Sequence, residues 1–180
     1  MTKQFSGQGG RWLFLNDAIA ARTVKGLVLE FGVADGHSIN YIADNVPGKV
    51  YGFDSFAGLP EYWKPGGEKG VFARSTLPDV QKNVELIVGL FEDTLPNFMK
   101  MHPEPISFLH VDCDLYSSAK TVLRWLHPQI VLGTIIVFDE YETEHEQKAF
   151  EEYLLESKWL VEPLAVCDER SSFCIRELAQ

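Results

Sequence analysis

No uninterrupted apolar run in this 180-residue chain is long enough to cross a bilayer. The longest, such as Ile135–Phe138, fall far short of the roughly 20 residues that a spanning helix needs. Met1–Gly10 lacks a basic segment leading into an apolar stretch, so no export signal is expected. Cysteine is scarce: Cys113, Cys167 and Cys174 are the three. Without a signal they point to free thiols in a cytoplasmic setting, although Cys167 and Cys174 flank an expected turn. Positive charge is scarce too. Sixteen Lys and Arg stand against 26 Asp and Glu, a net charge of −10, and the basic residues are scattered singly. Such a surface repels a nucleic-acid backbone or an anionic membrane, so neither is an expected partner. A small-molecule substrate or a cationic cofactor is compatible with it, and so is a homo-oligomer.

What is present is ordinary globular composition, 46% apolar and 23% charged, which excludes wholesale disorder. The length suits a single domain over residues 1–180, with no linker and no internal repeat. Residues 1–10, polar and glycine-rich, read as a flexible tail, and residues 11–25 as a helix stopped by Gly26. Strands are expected at Leu27–Phe31, Val50–Phe53, Val84–Val88, Ile106–Val111 and Thr134–Phe138. Helices are expected between them at 38–45, 95–101 and 117–126, and after the last at 145–157. Trp159–Val166 and Phe173–Leu178 then form a hairpin. Strands alternating with helices imply an α/β, Rossmann-like fold: a mostly parallel sheet covered on both faces and ending in antiparallel strands. One long irregular stretch, residues 58–82, contains Tyr62 and Trp63 and reads as a lid loop.

Five segments carry chemistry. Glu30-Phe31-Gly32-Val33-Ala34-Asp35-Gly36-His37-Ser38 joins the first strand to its helix, where two glycines let a ligand approach the backbone at a helix N-terminus. Its G-x-x-x-G spacing departs from the dinucleotide G-x-G-x-x-G. About 20 residues on, Asp54 ends the second strand, followed by Ser55, placed to accept both hydroxyls of a ribose. After the third strand come Phe91 and Glu92, with Asp93 or Thr94 a cap for the next helix. Last, Asp112 and Asp114 end one strand, and Asp139 and Glu140 end its neighbour. Four converging carboxylates repel unless protonated or neutralised by a cation, and oxygen-only donors favour magnesium. The alternative is that Asp112 and Asp139 orient a substrate or cap loops without metal.

The acid-x-G-x-x-x-G pattern resembles the first motif of class I S-adenosylmethionine (SAM)-dependent methyltransferases, where the loop holds the amino-acid end of SAM. With YGFDSFAGLP, LHVDCDLYSSAKTVL and GTIIVFDEY, the chain resembles the macrocin O-methyltransferase (TylF/MycF) family over about residues 26–150. That resemblance implies a seven-stranded sheet of order 3-2-1-4-5-7-6, and SAM held by Glu30, Gly32, Gly36, Ser38, Asp54, Ser55, Phe91, Glu92 and Asp112. It also implies magnesium on Asp114, Asp139 and Glu140, with Asp112 as the base. Glu140 departs from the aspartate more usual there. His145 is either a further general base or a surface histidine, and His37 either a cofactor contact or a loop residue. The implied activity is O-methylation of a small-molecule hydroxyl. A SAM-binding module without catalysis and a nicotinamide oxidoreductase are the alternatives, the latter lacking its third glycine.

Overall fold

Parallel strands covered on both faces need apolar side chains at successive positions, and Leu27–Phe31 and Ile106–Val111 are buried along their whole length. The computed structural model describes residues 2–7 and 9–178. In chain order the elements are β1 (Lys3–Phe5), α1 (Gly10–Ala20), β2 (Leu27–Phe31), α2 (His37–Asn45), β3 (Val50–Asp54), β4 (Val84–Val88), α3 (Phe91–Met101), β5 (Ile106–Val111), α4 (Tyr116–Leu126), β6 (Ile135–Phe138), α5 (His145–Ser157), β7 (Trp159–Cys167) and β8 (Arg170–Leu178).

The sheet order is β1-β7-β8-β6-β5-β2-β3-β4. Counted from β2 onwards, this is the expected 3-2-1-4-5-7-6, and β8 is the strand that runs antiparallel to its neighbours β6 and β7. The described residues hold eight strands rather than seven. The extra one lies inside the stretch expected to be a flexible tail: Lys3–Phe5 pairs in parallel with Ala165–Cys167. The open edge of β7 supplies the hydrogen-bond partners, and Lys3 makes an ion pair with Asp17 on α1. Three residues that gain their structure only by pairing leave no periodic pattern to read.

Alternation along the strands feeds two cores. Leu29, Phe31, Phe53, Leu109 and Phe138 pack with α3, α4 and α5 on one face. Val28, Phe108 and Val137 pack with α1 and α2 on the other. The sheet reverses direction of winding between β2 and β5, so the carboxyl ends of β2, β3, β5 and β6 border one crevice. Helix α3 begins at Phe91, one turn earlier than expected. Neither Asp93 nor Thr94 caps it; Leu90 precedes it without a side-chain cap, and the Thr94 hydroxyl instead donates to the Leu90 carbonyl. The three cysteines are free thiols. Among the described residues no helix is long and apolar enough to cross a membrane.

Candidate active site

A cavity of about 850 Å³ opens along the carboxyl rim, lined on one side by the β2–α2 loop and on the other by residues following β5 and β6. The loop is shaped from below. Asp54 Oδ2 accepts the Val33 and Ala34 N–H groups, both at 2.9 Å, while Oδ1 accepts Phe56 N–H at 2.8 Å. Gly32, at φ +91°, lies so close to β5 that a Cβ there would meet the Asp112 carbonyl oxygen at 1.7 Å. Ser55 is a turn-former, its hydroxyl accepting Ala57 N–H at 3.1 Å. Gly32, Ser38, Asp54, Ser55, Phe91 and Glu92 all line the cavity. Phe91 also packs edge-on against Phe31, with ring centroids 5.1 Å apart.

Glu30 and Gly36 are not among the lining residues. Glu30 is fully buried beneath the sheet end, accepting from the Ser38 hydroxyl at 3.1 Å and bonded to His110 Nδ1 at 3.0 Å. It braces the site from within rather than facing a ligand. Gly36 supplies the left-handed N-cap of α2, at φ +78°.

The acidic rim divides in two. Across the antiparallel β6–β8 pairing, Phe138 stands opposite Ser171, so Asp139 falls beside Arg170. The guanidinium bonds both carboxylate oxygens, Nε to Oδ1 at 2.7 Å and Nη2 to Oδ2 at 3.0 Å. From α1, Arg11 Nη2 reaches Asp139 Oδ1 at 3.2 Å and Asp112 Oδ2 at 3.3 Å. Under them sits His110, fully buried, with Nε2 3.9 Å from Asp139 Oδ1. Burial opposes its protonation, but the nearby Asp139 carboxylate and the hydrogen bond to Glu30 outweigh that and push the imidazole up to about 10. Burial would likewise raise Asp139, yet His110 and Arg170 hold it well below the usual carboxylate range. Asp112 goes the other way, raised by burial and by the charge of Asp139.

Asp114 and Glu140 form the second group. Burial and then the charge of Glu140 push the Asp114 carboxyl up to about 7. Burial raises Glu140 despite Lys64, whose Nζ lies 3.7 Å from its Oε2, and that oxygen is buried with no hydrogen-bond partner. Two close carboxylates, with Lys64 beside Glu140, suit magnesium, which is commonly held by one or two carboxylates with water and substrate completing its shell. Ligand atoms of His110, Asp112 and Asp139 also lie within 4.8 Å of one another. That trio is already neutralised by Arg11 and Arg170, so the donor set that fits a hard cation is Asp114 with Glu140.

The 58–82 segment is fastened down. Leu59 and Trp63 pack with Leu115 and Val71. The Ser117 hydroxyl donates to Glu61 at 2.5 Å, and Arg74 pairs with Asp35 at 2.6 Å. Trp63 is 8% exposed and lines the cavity, whereas Tyr62, at 58%, points to solvent. His145 does not line the cavity; it packs edge-on against Trp63 with centroids 6.4 Å apart, so the geometry gives it no acid–base place.

A methyltransferase-domain profile matches residues 29–141, from β2 through the acidic rim. The chain belongs to the methyltransferase domain family. A comparison with curated protein sequences returns no match. Among solved structures this methyltransferase is similar to CalS11, a calicheamicin methyltransferase, at 23% identity, covering 90% of this chain and 77% of that one with a TM-score of 0.74. It is similar to the O-methyltransferase NovP at 20% identity, covering 93% and 80%, TM-score 0.76. An O-methyltransferase from Bacillus cereus aligns at 17% identity, covering 93% and 80%, TM-score 0.62. These likenesses establish the Rossmann-like methyltransferase fold.

Sequence reasoning missed the groups that hold this methyltransferase site together. Glu146 accepts the N–H groups of Cys113 at 3.1 Å, Asp114 at 3.3 Å and Glu140 at 3.2 Å, tying both acidic loops to α5. Burial pushes its carboxyl up to about 8. A signal for it existed: Glu146 shares a helical face with the buried Ala149, Phe150 and Tyr153. Arg11, His110 and Arg170 carried no comparable mark.

Proposed function

We propose that this methyltransferase transfers the methyl group of SAM to a hydroxyl of a small molecule, in the manner of the macrocin O-methyltransferase branch, with magnesium assistance. The observation that carries the reading is one continuous cavity uniting the glycine loop, the strand-end Asp54 and the acidic rim. In it, Asp54 takes the ribose hydroxyls, Phe91 and Glu92 flank the adenine, and the turn at Gly32 receives the amino-acid end of the cofactor. The Bacillus cereus neighbour was solved with S-adenosylhomocysteine (SAH), which supports the same cofactor here. CalS11 is described as a TDP-rhamnose 3'-O-methyltransferase, which supports hydroxyl chemistry on a small molecule.

The methyl acceptor enters beside Asp112, which faces the cavity and takes the hydroxyl proton as the oxygen attacks the methyl carbon in line. Asp114 and Glu140 would hold magnesium, whose contribution there is to lower the pKa of a coordinated hydroxyl. Trp63 closes the cavity wall and keeps water from the reacting groups. Much of the rate gain comes from fixing nucleophile and methyl carbon in attack geometry. Calorimetry with SAM tests the reading. The wild type should bind SAM and not NAD, and Asp54→Ala should weaken SAM binding at least tenfold. Unchanged affinity in the variant, or a preference for NAD, refutes it.

A further inference from the structure

Arg11 is a charged residue of the cavity wall that this reading leaves unused. It stands in the first turn of α1, its side chain 29% exposed, and lines the same cavity as Gly32, Val33 and Ala34. Its place is fixed through the adjoining residue. The Tyr41 hydroxyl on α2 donates to the Trp12 carbonyl at 3.0 Å, and the two rings pack at a tilt of 35° with centroids 4.8 Å apart. Because α2 grows out of the glycine loop, this tie holds Arg11 and the loop at a set separation. Both ion pairs of Arg11, to Asp112 and Asp139, are made through Nη2 alone, and among the described residues Nη1 meets no carboxylate. Asp139 does not account for the arginine either, since Arg170 already bonds both its oxygens. A guanidinium offers five donors in a rigid fork suited to a carboxylate, so one edge of Arg11 is committed and another is unspent.

We propose that this unspent edge binds the carboxylate of the methionine moiety of SAM, held against the glycine loop. The assignment rests on the SAM reading given above and adds a residue that the sequence motifs do not contain. It also gives the first helix a part in the site: α1, anchored by β1 and by the tie to α2, delivers the cation that opposes the cofactor's carboxylate.

Calorimetry with two ligands tests it: SAM, and decarboxylated SAM, which keeps the adenosine, the sulfonium and the amine but lacks the carboxylate. The wild type should bind SAM at least tenfold more tightly than the decarboxylated analogue. Arg11→Gln should weaken SAM by about tenfold to hundredfold, the span of a charge-assisted carboxylate contact, and leave the analogue within about twofold. Arg11→Lys should fall between, keeping charge but not the fork. A wild type that does not distinguish the two ligands overturns the assignment without any variant. Equal weakening of both in Arg11→Gln also overturns it, by showing that Arg11 merely supports the wall. A wild type that binds neither overturns the SAM reading, and this assignment falls with it.

Discussion

Gly32→Ala and Gly48→Ala make a matched pair that isolates the close approach of the glycine loop to β5. Both glycines have nearly the same positive φ, +91° and +95°, so an alanine at either incurs a left-handed penalty of about 1–2 kcal/mol. They differ in what the new methyl meets. At Gly48 nothing lies within 4 Å, whereas at Gly32 the Asp112 carbonyl oxygen lies 1.7 Å away. That oxygen is backbone, so no side-chain rotation relieves the overlap. The end of the β2–β5 ladder, where Asp112 N–H donates to the Phe31 carbonyl at 2.8 Å, must separate instead. Overpacking of this kind adds about 1–3 kcal/mol, giving a total of about 2–5 kcal/mol at Gly32 against about 1–2 at Gly48. At about 2–4 °C per kcal/mol for a domain of this size, Gly48→Ala should lower Tm by about 2–8 °C and Gly32→Ala by about 4–20 °C. Differential scanning fluorimetry measures both, and SAM calorimetry adds a second axis, since Gly32→Ala should lose SAM and Gly48→Ala should keep it. If the two variants melt within a degree or two of each other, the contact with β5 does not shape the loop.

Two further outcomes follow from the division of the acidic rim. His110 has a folded pKa of about 10 against an unfolded value near 6.5, so the native state holds its proton more tightly. Its contribution to stability is therefore complete below about pH 6.5 and fades as pH rises towards 10. Urea unfolding at pH 7 and pH 9 should show a steeper loss in the wild type than in His110→Asn, and equal slopes would mean that the buried imidazole is neutral. For the metal, magnesium should raise the Tm of the wild type, and Asp114→Asn or Glu140→Gln should abolish the rise. Asp139→Asn should start from a lower Tm, because Arg170 loses its carboxylate partner, yet still respond to magnesium. A response lost in Asp139→Asn and kept in Asp114→Asn would return Asp139 to the ligand set.

The sheet was legible because buried parallel strands are apolar runs, and the β2, β4 and β5 boundaries match the runs that predict them. Strand β1 was not, since Lys3–Phe5 owes its conformation to the edge of β7 rather than to its own residues. Helix α3 begins at Phe91 rather than at the expected Leu95, and it carries Pro96 inside it. The site shows the same contrast in charge. Gly32, Asp54, Asp112 and Asp139 could be placed on one rim because the order of winding brings strand ends together. The charge argument from those residues was sound in one respect: four converging carboxylates do require cations. It could not say which cations, because the arginines come from far away in sequence. Arg11 lies 101 residues from Asp112, and Arg170 lies 31 residues from Asp139, arriving by the register of an antiparallel hairpin. With both in place, Asp139 is balanced by the chain itself, as the metal-free alternative for that residue requires. Asp114 and Glu140, with Lys64 beside Glu140, are the carboxylates proposed to take magnesium. An acidic cluster in a sequence therefore fixes how much positive charge a site needs, while the fold decides how much of it the protein already supplies.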